Sequence, residues 1–345
     1  MKILYAIQGT GNGHVTRAME LVPILKKKGS TDILISGIQS DIELPFHVDY
    51  SFKGLSFIFG KNGGVDVWKT YLKMKSYRLL RDISSIDIYK YDLVISDFEP
   101  ISAWACRIAG VPCVGLSNQV ATLHPLAPKP KSNDRLGKLV LRHYAPTTFN
   151  YGFHFKSLDQ TIYTPIIRSR IRKLKPVDKG HYTVYLPSYD DEKIIKRLKR
   201  YSGIRWEIFS KHTKKAYTEG RFRVYPIEED RFIESLSTCR GLLSNAGFGA
   251  TSEALFLGKK LLVVPMKTQY EQHCNAAMLE SMGITVLKSI KQKHADTISS
   301  WLDSDRKIDV DYPSNAKEII NTIVERHAGI KNSNFDAFNS YPLFQ

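Results

Sequence analysis

The chain predicts an α/β protein of two doubly wound, Rossmann-like domains facing a cleft, and three observations carry that expectation. Short apolar runs alternate with helical patterns over the whole length, the alternation starts twice, and glycine- or proline-bearing turns close the apolar runs. Strand–helix alternation of this kind builds parallel sheets. The first copy occupies residues 1–163, with strands expected at Ile3–Ile7, Asp32–Ser36, Leu93–Ser96 and Cys113–Leu116 and helices at Val15–Lys28 and Ile101–Ala109. A proline- and charge-rich joint, Thr164–Lys179, opens the second copy, residues 164–328. Its strands are expected at Thr183–Leu186, Trp206–Phe209, Gly241–Leu243, Leu261–Val264 and Ile284–Leu287. Its helices are expected at Glu192–Tyr201, Arg231–Thr238, Gln272–Met282 and Ala316–His327. Residues 329–345 read as a tail packing back on a domain.

At 345 residues each half can bury its own core. No apolar run is long enough to span a bilayer, and the opening Lys-Ile-Leu-Tyr-Ala-Ile is strand-like with no cleavage site, so a cytoplasmic protein is expected. Cys106, Cys113, Cys239 and Cys274 lack metal-ligand spacing and read as reduced thiols. No metal site and no cofactor is expected. The net charge of +16 does discriminate, because it implies an acidic partner. Basic residues gather at Lys69–Arg81 (with Trp68, Tyr71 and Tyr77), Lys129–Arg142 and Arg168–Lys179. Solvated helix faces carry such clusters too. Without a nucleic-acid motif beside them, an anionic membrane surface ranks above nucleic acid.

In doubly wound folds ligands lie at the carboxyl ends of the strands, and the informative loops fall there. Gln8-Gly-Thr-Gly-Asn-Gly-His14 follows the first strand. Its glycines, Gly11 and Gly13 around Asn12, are spaced G-x-G-x-G. No acidic residue ends the second strand, as an NAD-binding domain would require. His14 projects at the cleft mouth as a candidate base. Ser96-Asp97-Phe98-Glu99-Pro100 ends another strand, so Asp97 can orient His14 and raise its basicity, with Glu99 as the spare carboxylate. Helix capping is the competing role for both residues. Arg168, at the joint, is placed to swing over a diphosphate, and Ser188 to touch the distal phosphate.

The most informative block is 244–275. Asn245, Gly247, Phe248, Gly249 and Thr251 form a glycine turn that runs into a helix carrying Glu253. Unpaired N–H groups at such a helix start favour phosphate, and glycine removes the Cβ that would hold an anion away. Glu253 is placed for ribose hydroxyls, and Glu271 with Gln272 for the sugar. Asp190-Asp191 read as helix-start residues rather than metal ligands.

These residues resemble a GT-B-fold glycosyltransferase of the family 28-like group that transfers from UDP-sugars, which includes the N-acetylglucosamine transferase of lipid II synthesis. Gly9-Thr-Gly-Asn-Gly-His14 is similar to that group's acceptor-side loop, Thr164-Pro-Ile-Ile-Arg168 to its interdomain segment, and Ser244–Glu253 to its phosphate loop and ribose-binding Glu. Glu271-Gln272 stands where that group has two glutamines, and the Ser96-Asp97 strand end looks more like family 1. The resemblance implies inverting, metal-independent transfer from a UDP-sugar to a hydroxyl acceptor, with His14 as base. The basic N-terminal surface adds the expectation of a lipid- or polymer-linked acceptor presented at an anionic membrane. The alternatives are a nucleotide-sugar sensor without turnover and a UDP-sugar 2-epimerase, whose Gly-Thr-Arg-Pro-Glu opening is absent.

Overall fold

The computed structural model describes residues 1–37, 44–53, 76–130 and 134–330. Strands β1 (Lys2–Gln8), β2 (Ser30–Ser36), β3 (Tyr50–Phe52), β4 (Leu93–Asp97), β5 (Val114–Ser117), β6 (Phe149–Phe153) and β7 (Ile162–Tyr163) form the first sheet. All its pairings are parallel, in the order β3-β2-β1-β4-β5-β6-β7. Ile3 to Ile7 of β1 are wholly buried, which is why this strand reads as an unbroken apolar run rather than an alternating one. Around the sheet lie α1 (Asn12–Lys26), α2 (Ser76–Ser84), α3 (Pro100–Ala109), α4 (Asn118–Leu123) and α5 (Arg135–His143). The short α6 (Ser169–Arg172) follows at the joint.

The second sheet holds β8 (His181–Tyr185), β9 (Arg205–Ser210), β10 (Tyr217–Glu219), β11 (Phe222–Pro226), β12 (Gly241–Ser244), β13 (Lys260–Val263) and β14 (Thr285–Val286). Its order is β10-β11-β9-β8-β12-β13-β14, parallel except for the β10–β11 hairpin. Its helices are α7 (Asp191–Leu198), α8 (Glu229–Thr238), α9 (Phe248–Phe256), α10 (Tyr270–Ser281), α11 (Ala295–Asp303) and α12 (Ala316–His327).

Each strand expected from the sequence is found, with its ends displaced by at most two residues. The strands that pattern reading passes over are the edge and polar ones. All three residues of β10 are exposed, and β6 carries Asn150 and Gly152, which are poor strand formers. Gly152 is there for packing: a Cβ would come within 2.9 Å of the Ala121 nitrogen and the Ser117 carbonyl, where α4 lies against β6.

The domain division differs from the expected one at its end. Helix α12, assigned by its place in the chain to residues 164–328, packs on the first domain instead. Its Ile319, Ile320 and Ile323 are buried in the core formed by β1, β2, β4 and α1. Full burial of one such side chain is worth roughly 1.5–3 kcal/mol, enough to fasten the helix across the domain boundary. Gly329 N–H also donates to the Asp92 carbonyl at 2.9 Å. The tail proposed at 329–345 lies beyond this, and 331–345 are outside the described residues, as are Trp68 and Tyr71 and the side chain of Tyr77. Cys106, Cys113, Cys239 and Cys274 are all free and buried.

Candidate active site

Both sheets reverse their strand order at one point, between β1 and β4 in the first and between β8 and β12 in the second. The loops leaving these four strands diverge there and open a crevice, the usual ligand position of such sheets. A cavity of about 1300 Å³ lies between the domains, lined by His14, Arg17 and Gln119 on one side and Asn245, Gly249 and Glu253 on the other.

On the first side the loop after β1 turns at Gly11, whose φ of +91° lies in the left-handed region, and enters α1. His14 therefore occupies the first turn of α1, beside the end of β4. Its Nδ1 lies 2.7 Å from Asp97 Oδ1. Asp97 is wholly buried and is gripped by a second α1 residue: Arg17 donates from Nε to Oδ2 at 2.8 Å and from Nη2 to Oδ1 at 2.6 Å. The guanidinium also rests over the Phe153 ring, 5.3 Å from its centre. Burial alone would push the Asp97 carboxyl up, but Arg17 and His14 outweigh it and hold the group below its ordinary 3.8. Asp97 is thus a fixed carboxylate, which favours the tautomer with the ring proton on Nδ1 and the lone pair on Nε2. Gln119 Nε2, 3.3 Å from His14 Nε2, is a donor that fits that tautomer.

Glu99, the spare carboxylate, has a different task. Its Oε1 accepts from Ile101 N–H at 2.8 Å and its Oε2 from Ser102 N–H at 2.7 Å, so it caps α3. Capping competes with chemistry as the role of Asp97 in the sequence; the structure gives it to Glu99. Between the two carboxylates Phe98 takes a φ of +55°, unusual for an aromatic residue, and its ring meets that of Tyr144 at 4.9 Å between centres. This sharp turn separates the carboxylate beside His14 from the one that faces α3.

Three residues of the first side are not singled out by sequence reasoning. Arg17 stands three residues after His14, a helical spacing that puts both on one face, so a signal is present. Asn118 and Gln119 follow β5, and nothing local marks them. Asn118 Nδ2 donates to Glu271 Oε1 at 2.7 Å and Gln119 Nε2 to Glu271 Oε2 at 3.0 Å, across the cleft.

On the second side Gly247 caps α9 with an extended backbone and offers no side-chain cap, so among the described residues the N–H groups of its first turn have no capping side chain. Asn275 Nδ2 holds the preceding loop through the Ala246 carbonyl at 3.0 Å. A Cβ built on Gly249 meets no atom within 4 Å, although the residue lines the cavity. The space a side chain would take belongs to the cavity. Asn245, Gly247, Phe248, Gly249, Glu253 and Glu271 all stand on the wall, as do Gly11, Asn12 and Gly13 opposite.

Arg168 and Glu253 reach the wall but hold each other. Arg168 donates to Glu253 through Nε at 2.5 Å and Nη2 at 2.8 Å, and also to Glu229. Burial would lower the Arg168 pKa, yet the two carboxylates raise it. Three residues expected to bind the donor do not stand on the wall. Ser188 is exposed and lies outside the cavity lining. Thr251 is buried, with its hydroxyl donating to the Phe248 carbonyl at 3.1 Å within its own helix. Gln272 turns inward, accepting from Met266 N–H at 3.0 Å and donating to Gln269 Oε1 at 2.6 Å. Asp190 and Asp191 also lie off the wall, where Asp190 pairs with Lys193 and Asp191 accepts from Tyr217 at 2.7 Å. Among the described residues no group of three or more His, Cys, Asp or Glu is placed to hold a metal ion.

A family model described as glycosyl transferase family 1 matches residues 1–304. The chain belongs to glycosyl transferase family 1. A search of curated proteins found no match. Among solved structures, this glycosyltransferase is similar to a UDP-glucosyltransferase from Polygonum tinctorium capable of glucosylating indoxyl, with a TM-score of 0.60, 15% identity and 94% of each chain covered. It is also similar to UGT2 of Phytolacca americana complexed with UDP-2fluoro-glucose and pterostilbene, with a TM-score of 0.57, 14% identity, and 98% of this chain and 97% of that one covered. The glycosyltransferase SnogD from Streptomyces nogalater aligns with a TM-score of 0.53 at 14% identity, over 94% of this chain and 99% of that one. At such identities these likenesses establish the two-domain fold, and they agree with the two sheets described above.

Proposed function

We propose that this glycosyltransferase moves a sugar from a UDP-sugar to an acceptor hydroxyl with inversion and without a metal ion. The observation that carries the proposal is the pairing of His14 Nδ1 with the buried Asp97 carboxylate, on the same cavity that the N-terminus of α9 lines. His14 Nε2 takes the acceptor proton as the oxygen attacks the sugar from the side away from the diphosphate, and Asp97 stabilises the imidazolium that forms. The N–H groups around Gly247 to Gly249 receive the departing diphosphate, aided by the helix dipole. Arg168 joins them once ribose hydroxyls compete for Glu253, while Glu229 keeps the guanidinium near the wall. UDP-sugars bound or used by the similar plant enzymes support the choice of donor.

The acceptor in this reading is lipid- or polymer-linked, presented at an anionic membrane surface. The support is the net charge of +16 together with α5, whose Leu136 and Leu139 are 46% and 54% exposed beside the exposed Arg135 and Lys138. Among the described residues no helix is long and apolar enough to cross a membrane, so attachment would be peripheral.

The test is turnover of UDP-sugars by wild-type protein and His14→Ala over a broad acceptor panel. Transfer lost in His14→Ala, with UDP still raising the melting temperature, is the expected result. Tight UDP binding without turnover of any donor would leave a sensor, and interconversion at the sugar's second carbon without an acceptor would make the protein an epimerase.

A further inference from the structure

Residues lining the cavity on the His14 side carry buried polar atoms for which proton transfer has no use. Gln8, at the end of β1 and 3% exposed, donates from Nε2 to Tyr144 Oη at 2.9 Å. Its Oε1 is buried and has no hydrogen-bond partner among the described residues. Gln119, 5% exposed, gives its Nε2 to Glu271 and is left with Oε1 in the same condition. A carboxylate only accepts, so the Gln119 amide has one admissible orientation and the bare atom is an acceptor. The Thr10 hydroxyl, in the loop after β1, is the third unpartnered group. All three residues line the cavity. Buried acceptors without donors are unfavourable, and a ligand that brings hydroxyl groups relieves them.

Charge and shape narrow the ligand further. Among the described residues lining this side, Arg17 is the one lysine or arginine, and Asp97 already holds it by two hydrogen bonds. Asp134 stands nearby as a carboxylate capping Gly137 at 2.8 Å. An anionic acceptor head finds no free cation here. Phe98 and Leu136, Val140 and Leu141 of α5 line the same cavity and add apolar surface. A sugar ring offers hydroxyls at its edge and C–H groups on its face, which matches buried amides together with apolar surface. A planar phenol brings too few donors to answer three bare groups and the base together.

Resting on the transferase reading above, we propose that the acceptor is an uncharged, hydroxyl-rich ring, a saccharide or cyclic polyol head. One hydroxyl lies at His14 Nε2 and others donate to Gln8 and Gln119. The transfer balances simply: the acceptor oxygen bonds to the sugar's anomeric carbon, the bond to the diphosphate breaks with its electrons leaving on UDP, and the acceptor proton passes to His14.

The test measures UDP release from UDP-glucose, UDP-galactose and UDP-N-acetylglucosamine with three acceptor sets: neutral glycosides and cyclitols, planar phenols, and sugar acids. The expected outcome is the highest kcat/KM with a neutral glycoside or cyclitol. Gln8→Met and Gln119→Met should each raise that acceptor's KM about tenfold, one hydrogen bond's worth. UDP-induced thermal stabilisation shows which variants keep the fold and donor seat. If a variant does not fold, the panel with unaltered protein decides alone. Preference for phenols or sugar acids, or an unchanged acceptor KM in folded variants, overturns this inference and leaves the transferase standing. Absence of turnover with every donor and acceptor overturns both.

Discussion

The two walls of the cleft are built by different physics. The wall bearing His14 rests on a network of buried polar side chains joined by residues far apart in sequence: His14 and Arg17 meet Asp97 from 83 and 80 positions away. Opposite in character, the stretch of the other wall at Gly247–Gly249 is main chain, set by one glycine turn and the start of one helix. A charge network depends on every member, because a buried charge without its partner is costly. A backbone seat depends instead on nothing filling the space before it.

This contrast ranks the substitutions. The largest effect should fall on the dyad. His14→Ala is expected to lower kcat by about 10²–10⁴, the usual contribution of a positioned base. Asp97→Asn should do nearly as much by releasing the ring tautomer. Steady-state kinetics at saturating donor check both, and a loss below tenfold would remove His14 from the mechanism.

Arg17→Met should come next, and on stability first. It leaves Asp97 buried with one cation fewer, a cost of about 3–5 kcal/mol. The pH dependence should then change in shape. In the native protein Asp97 titrates below its unfolded value, so its contribution is present above about pH 4 and is lost as pH falls through the folded pKa. Without Arg17, burial is opposed by His14 alone, so the carboxyl rises and the loss of stability on acidification shrinks. Denaturant midpoints from pH 3 to 7 for the two proteins read this directly. Parallel curves would mean that Arg17 does not hold the carboxylate ionised.

His154 sets a second pH effect, outside the dyad. It is 1% exposed, its Nδ1 accepts from Phe155 N–H at 3.1 Å, and burial pushes its imidazole down to about 3. The unfolded chain binds a proton here below its ordinary 6.5 while the folded chain does not, so stability is full above that value and declines toward pH 3. Between pH 6.5 and 5 this costs about 2 kcal/mol. His154→Gln should flatten that part of the curve, as urea unfolding at the two pH values will show.

The backbone wall predicts the opposite pattern, function lost without stability. Gly249→Ala places a methyl group in the cavity and touches no protein atom. UDP affinity should drop about tenfold, as for one phosphate hydrogen bond, while the melting temperature holds or rises because alanine is the better helix residue. Calorimetric titration with UDP checks this. Unchanged affinity would move the diphosphate away from α9.

The same contrast explains how much of the molecule is legible in its amino-acid order. The α9 seat lies within 32 consecutive residues, 244–275, so its glycines, its helix and Glu253 can all be read locally. Parallel strands buried on both faces are legible as well, because the middle of β1, Ile3–Ile7, and Leu242-Leu243 of β12 are apolar runs. His14 and Asp97 can be named singly as strand-end residues, but their pairing with Arg17 depends on how β1 and β4 lie side by side, with Ile7 opposite Asp97. The Glu271 bridge to Asn118 and Gln119 is farther still, 152 or 153 positions, and crosses two domains. Side-chain direction is hidden even where position is right. Thr251 and Gln272 lie in the expected segments but bond inward, since a hydroxyl early in a helix finds a carbonyl one turn back and a loop needs an amide to close it.

The smallest effect makes the sharpest comparison, because it sets two carboxylates two residues apart against each other. Glu99 bonds Ile101, Ser102 and the Ser36 hydroxyl, the last at 2.5 Å, and touches no part of the dyad. Burial raises its pKa even though those partners oppose the shift. Glu99→Gln keeps one acceptor oxygen for the cap, so it should cost only about 1 kcal/mol of stability and leave kcat/KM near the wild-type value. Asp97→Asn, equally conservative on paper, should leave little activity. If Glu99→Gln lost activity as steeply while still folded, the turn at Phe98 would not divide a structural carboxylate from a chemical one, and Glu99 would regain its claim on the mechanism.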